Sequence, residues 1–149
     1  MKRTTKEEQI QHRMEPGVIS SDGFLGDDLR HYTDIIREDE ITLERLGYTP
    51  DQVADRMQEL TAEAYKSPDG PTDFGKLILD YFSYRGKVIC PFTDPGVFSK
   101  AVIWVTNTEN KIQIRWTPLH IHLIRHHHFF EGKGASFRIE PELLIKCLF

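Results

Sequence analysis

The sequence has no apolar run that could cross a bilayer; the longest, such as residues 101–105, fall far short of the roughly 20 residues a spanning helix needs. No apolar segment of the secretory kind follows the basic start Met1-Lys2-Arg3, so the cytosol is the expected location and no membrane partner is expected. Cysteine is scarce. Cys90 and Cys147 stand alone, and two cysteines without an export signal read as reduced core thiols, so no disulfide is expected. There is no internal repeat, no low-complexity tract, no Walker A sequence and no RNP-like motif. These absences leave a soluble domain without an established nucleotide or nucleic-acid signature.

What is present fits one domain. A chain of 149 residues buries about two-thirds of its unfolded surface, and 39% hydrophobic with 28% charged residues is ordinary for a globular protein. The net charge of -4 conceals an asymmetry: residues 1–66 sum to -6 and residues 67–149 to +2. Residues 1–17 are polar, lack a sustained period and end in Pro16-Gly17, so they are expected to form a flexible arm ahead of a single α+β domain over 18–149.

Apolar spacing then predicts a helix over residues 27–46, with Leu29, Tyr32, Ile36, Leu43 and Leu46 on one face. Thr49-Pro50-Asp51-Gln52 is a helix start, because Thr49 can cap the Gln52 amide, Pro50 sits where no donor is needed and Gln52 can reach back. Val53, Met57, Leu60 and Ala64 give the second helix its apolar stripe, completing an acidic helical hairpin. Asp51, Asp55, Glu59 and Glu63 recur every four residues along it as an acidic ridge, a pattern that repels itself by a few tenths of a kcal/mol per pair.

After the loop at 67–71 the period changes to two. Residues 76–84 and 87–92 around Arg85-Gly86 read as one hairpin, and residues 101–106 and 111–116 around Asn107-Thr108-Glu109-Asn110 as another. The expected architecture is therefore α+β: an N-terminal helical hairpin packed with a four-stranded antiparallel sheet, followed by a His-rich helix and a short C-terminal helix begun by Pro141.

The His-rich helix carries the chemistry. Five of the seven histidines fall within positions 120–128. Thr117-Pro118 repeats the helix-start grammar, so a helix is expected over 120–130. At 100° per residue His120 and His127 point inward with Leu119 and Leu123, whereas His122 and His126 lie one turn apart on the other side. Imidazoles at i and i+4 converge outside a helix, which makes His122 and His126 the expected ligands of Zn²⁺ or another divalent transition metal. The zincin Glu is missing, since Leu123 takes its place; Glu131 is the expected third ligand, with Cys90, His31 and an acidic helix residue as other possibilities.

The loop after this helix, Glu131-Gly132-Lys133-Gly134-Ala135-Ser136-Phe137-Arg138, places flexible residues around a cation, a hydroxyl and a guanidinium. Gly132, Lys133, Gly134, Ser136 and Arg138 are thus the candidate cradle for an anion. Cys90 reads as a core thiol rather than a nucleophile. Together these features support a cytosolic ligand-binding or protein-interaction module, whose partner is a small anion or another protein. A metal-dependent or phosphoester hydrolase is the enzymatic alternative, because titratable imidazoles would stand beside fixed positive charge. A third reading is nucleic-acid binding on a basic sheet face bearing Tyr84, Arg85, Lys87, Lys100, Lys111 and Arg115; the negative total charge weighs against it.

Overall fold

The Thr49-Pro50 step does what its chemistry dictates. The Thr49 hydroxyl accepts the Gln52 N–H at 3.1 Å and the Gln52 side chain accepts the Thr49 N–H at 2.9 Å, so two donors left over at the helix end are satisfied reciprocally. In the computed structural model, which describes residues 2–149, this step opens α3 (Pro50–Tyr65). The other helices are α1 (Thr5–Arg13), α2 (Tyr32–Arg45), α4 (Pro118–His127) and α5 (Pro141–Leu148). The strands are β1 (Thr72–Phe74), β2 (Leu77–Phe82), β3 (Lys87–Val88), β4 (Phe98–Ser99), β5 (Val102–Asn107) and β6 (Gln113–Trp116). Four of them form an antiparallel sheet in the order β1-β2-β5-β6, and β3 pairs with β4 separately. The class is α+β, with helices before and after the sheet.

Residue alternation puts Leu77, Leu79, Ile103, Val105, Ile114 and Trp116 on the inner face of the sheet. The α3 stripe of Val53, Met57, Leu60 and Ala64 covers it, joined by Leu144 and Leu148 of α5. Trp116 is fully buried because its indole N–H finds the Thr61 hydroxyl at 2.9 Å. Each such apolar side chain contributes about 1.5–3 kcal/mol on burial. The acidic ridge of α3 is neutralised within the fold: Arg125 of α4 reaches Asp55, Arg56 pairs with Glu59 and Lys66 with Glu63, each at 2.8 Å.

Three expectations need correction. Residues 87–92 do not pair with β2. Gly75, at φ +62°, instead folds β1 back onto β2, while the chain leaves the sheet after Phe82 and Pro91 removes a donor from any longer ladder. The helix expected from residue 27 begins only at Tyr32, and Leu29 is fully exposed. Gly26, at φ +58°, lies so close to the Ala135 backbone that a Cβ would come within 2.1 Å of its nitrogen, so the chain passes here as a tight loop rather than a helix.

The third correction concerns the arm. Met1 lies outside the described residues; in the rest of the stretch Thr4 and Glu7 form a capping box and α1 follows, where no helix was expected. Two apolar residues four apart are enough to dock it, since Ile10 and Met14 are both buried. Polar anchors fix the pose. Arg13 Nε donates to the Pro91 carbonyl at 2.8 Å and the Gln11 side chain accepts the Tyr32 N–H at 2.9 Å. Ile10, Met14, Phe24, Tyr32 and Ile35 thereby form a second core with Cys90, Leu119, Leu123 and Phe129.

Asp28 locks the loop between these cores. Its carboxylate accepts the Arg30 guanidinium at 2.6 and 2.8 Å and the Lys133 N–H at 3.1 Å. Arg30 holds this carboxyl well below the usual carboxylate range, against the opposing effect of burial. A depressed acid stabilises the fold fully above the unfolded value near 4 and loses that contribution as pH falls toward the folded value. Thermal scans across pH 2–7 are therefore expected to show a flatter acid limb for Asp28→Asn than for wild type; identical limbs would remove Asp28 from the acid response.

Candidate metal centre and adjoining cavity

α4 ends because His128 takes the left-handed conformation, φ +57°, with its N–H on the Ile124 carbonyl at 3.1 Å. That closing turn leaves His122 and His127 beside one external group, Asp94. Asp94 Oδ2 accepts His122 Nε2 at 2.8 Å and His127 Nε2 at 2.5 Å. Asp94 is delivered by the turn that follows β3: the Thr93 N–H bonds the Cys90 carbonyl at 3.0 Å, and Thr93 itself is left-handed at φ +68°. Phe92 lies parallel on the His127 ring at 3.9 Å and Phe98 tilts against His122 at 4.9 Å, so both imidazoles are held by packing as well as by the carboxylate. Cys90 Sγ completes the group, 3.9 Å from Asp94 Oδ2.

The ligand atoms of Cys90, Asp94, His122 and His127 all lie within 4.8 Å of one another, and this group could hold a metal ion. One sulfur, two imidazole nitrogens and a carboxylate oxygen are donors that borderline transition metals accept. Their protonation differs. The bond from His127 holds the Asp94 carboxyl below its usual range despite burial, and burial pushes His122 down despite Asp94, so both lean toward their ligand forms. Burial pushes the Cys90 thiol up, so a cation is what would draw off its proton.

The metal pair expected from the sequence is His122 with His126; the metal-capable group holds His122 with His127. His126 is exposed, and although its ring lies 4.8 Å from that of His122 it faces away from Asp94 and Cys90, outside the group. Glu131 also lies outside this group. It is buried against His120, with Oε2 2.6 Å from Nε2. The inward reading of His120 holds: it is 3% exposed, and its Nδ1 faces the Thr117 N–H at 3.0 Å and the Thr117 hydroxyl at 2.8 Å. Nδ1 therefore accepts and the Nε2–H donates to Glu131, which itself sits at φ +68°.

This Thr117–His120–Glu131 chain forms one wall of a cavity of about 520 Å³, with Trp104, Arg115 and Phe137 facing it. The residues expected to cradle an anion are divided. Ser136 lines the cavity and its carbonyl accepts Arg115 Nη2 at 2.6 Å, whereas Lys133 is exposed to solvent. Gly132 and Gly134 serve packing, one where a Cβ would fall 2.3 Å from the Leu25 carbonyl oxygen and the other against Asp27. Arg138 is engaged by Asp39 and Glu140 and takes no part in the cavity. Asp94 and Thr117 have no site role in the sequence reading, whereas Arg115 enters it on the basic sheet face, as do Tyr84, Arg85 and Lys100, which also line this cavity. The only local signal was Cys90-Pro91-Phe92-Thr93-Asp94, two metal-capable residues four apart in a turn.

Comparison with protein-family models, with curated proteins and with solved structures returned no match. Among the described residues no helix is long and apolar enough to cross a membrane.

Proposed function

We propose that the protein is a ligand-binding module built around a zinc centre. The observation that carries this reading is a two-residue offset between cluster and cavity: Val88 lines the cavity and Cys90 belongs to the cluster, while on α4 His120 lines the cavity and His122 belongs to the cluster. An ion joining Cys90 and Asp94 to His122 and His127 would therefore fix the β3 segment against α4 and hold two walls of the cavity in register. Zn²⁺ suits the mixed thiolate, imidazole and carboxylate donors, and four protein donors fill a tetrahedral shell, which supports a structural ion over the hydrolytic alternative. Tetrahedral zinc needs donors about 3.2–3.8 Å apart, so seating it would draw in the widest pairs of the cluster and open the 2.5 and 2.8 Å contacts of Asp94 with the two imidazoles. A thiol ligand fits a reducing compartment such as the cytosol.

Metal analysis of untreated protein and calorimetric titration test this. One equivalent of Zn²⁺ is expected to bind below micromolar Kd and to raise the melting temperature. Cys90→Ser and His127→Ala are expected to weaken binding by at least about tenfold, and His126→Ala to leave it unchanged. Equal losses in His126→Ala and His127→Ala, or no binding tighter than micromolar in wild type, would overturn the zinc centre.

A further inference from the structure

We propose that the cavity is a binding site for a nucleoside phosphate. This rests on the reading of the cavity as a ligand site and adds the class of ligand. Charge supplies the first reason. Arg85, Lys100 and Arg115 all line the cavity, and among the described residues none of them pairs with a carboxylate, whereas Arg30, Arg56, Arg125 and Arg138 elsewhere each do. The acidic residues in the lining are Asp22 and Glu131, and Glu131 is engaged with His120. Three cations without a carboxylate partner against two lining carboxylates leave the concavity net positive, a field that favours an anionic ligand. Arg115 is fixed by the Ser136 carbonyl, and the β3–β4 pairing sets Lys100 across from Gly86, next to Arg85.

Shape supplies the second reason. The Arg115 guanidinium lies over the Phe137 ring at 4.2 Å and over its cross-strand partner Trp104 at 5.3 Å, and Tyr84, 59% exposed, stands at the rim. Stacked aromatic and guanidinium planes beside unpaired cations are what a base carrying a phosphate requires. A cavity of about 520 Å³ lies in the range of small-molecule sites and accommodates a mononucleotide. The cavity is also continuous with a groove on the outer face of the sheet, because both share Tyr84 and Trp104; Ile78 and Phe82 extend that groove along β2. The nucleoside phosphate can thus be free or part of a single strand that continues across the sheet.

Zinc-loaded protein is titrated with uridine monophosphate, adenosine monophosphate, uridine, inorganic phosphate and a fluorescent uridine hexanucleotide. Monophosphate binding is expected at least about tenfold tighter than uridine or phosphate alone, and weakened about tenfold or more by Arg115→Ala, by Lys100→Ala and by about 0.5 M salt. Arg115→Lys, which keeps the charge but cannot stack as a plane, should retain phosphate binding and lose the preference for the nucleotide. A hexanucleotide at least about tenfold tighter than the monophosphates identifies the strand as the source, and equal affinity identifies the free nucleotide. Equal affinity for inorganic phosphate and monophosphates overturns the proposal, leaving a plain anion site. So does the absence of binding by any nucleotide or hexanucleotide at about 1 mM. Because zinc content is measured on the same samples, a nucleotide failure with zinc bound sinks this inference alone.

Discussion

Arg138→Ala is expected to lower folding stability by about 3–5 kcal/mol, one of the largest effects of any single change. The Arg138 and Asp39 side chains are 7% and 5% exposed. The guanidinium bonds both Asp39 oxygens at 2.5 and 2.9 Å, both Glu140 oxygens at 3.1 and 3.2 Å, and the Glu131 carbonyl at 2.8 Å. It thereby ties α2 to the start of α5 and to the left-handed residue that carries the His120 partner. Burial alone would lower the Arg138 pKa, but Asp39 and Glu140 outweigh it and hold the cation firmly charged; burial pushes the Asp39 carboxyl up against the pull of Arg138. Removing the arginine strands that carboxylate. Denaturant unfolding of Arg138→Ala, Asp39→Asn and the double variant checks the account: Asp39→Asn should recover part of the loss in the Arg138→Ala background. A loss below about 1 kcal/mol for Arg138→Ala would mean that Asp39 finds other partners.

Deleting residues 2–16 is expected to cost about 3–6 kcal/mol, from two buried side chains at about 1.5–3 kcal/mol each. That corresponds to a fall of roughly 10 °C or more in melting temperature. Ile10 and Met14 are the two side chains, and their loss also uncovers Phe24, Tyr32 and Ile35. Ile10→Ala combined with Met14→Ala should reproduce most of the fall while leaving the chain intact. A melting temperature unchanged by the deletion would show that α1 docks without stabilising anything.

What the sequence revealed was what local physics controls. Thr49-Pro50 and Thr117-Pro118 mark helix starts because the hydroxyl, the ring and the third residue act within one turn. The strand after the turn at Asn107 alternates strictly and the one before it is a short apolar run rich in β-branched residues, so β5 and β6 were legible as a pair. The burial of His120 followed from its neighbours on the helical wheel. Choices that depend on distant chain were not legible. Residues 87–92 have strand composition, but whether they join β2 or β4 depends on where Pro91 and the turn to Asp94 must go. The metal-capable group is of the same kind: α4 offers several imidazoles, and a carboxylate 28 and 33 positions away in sequence gathers His122 and His127. In α1 two apolar residues carry the docking, too few to raise a periodic signal above the polar residues around them.

The second core also has a consequence for synthesis. Its N-terminal members, from Ile10 to Ile35, have no lasting partner until Leu119, Leu123 and Phe129 have been made. At about 5–20 residues per second, the segment from Ile10 to Ile35 waits on the order of 5–20 s on the ribosome with its apolar side chains uncovered. During that interval α2 and α3 can pair through Leu43 and the α3 stripe, but α1 can only fray and re-form. The nascent chain should therefore be most open to chaperone capture and to proteolysis over the segment from Ile10 to Ile35, and it should close there last.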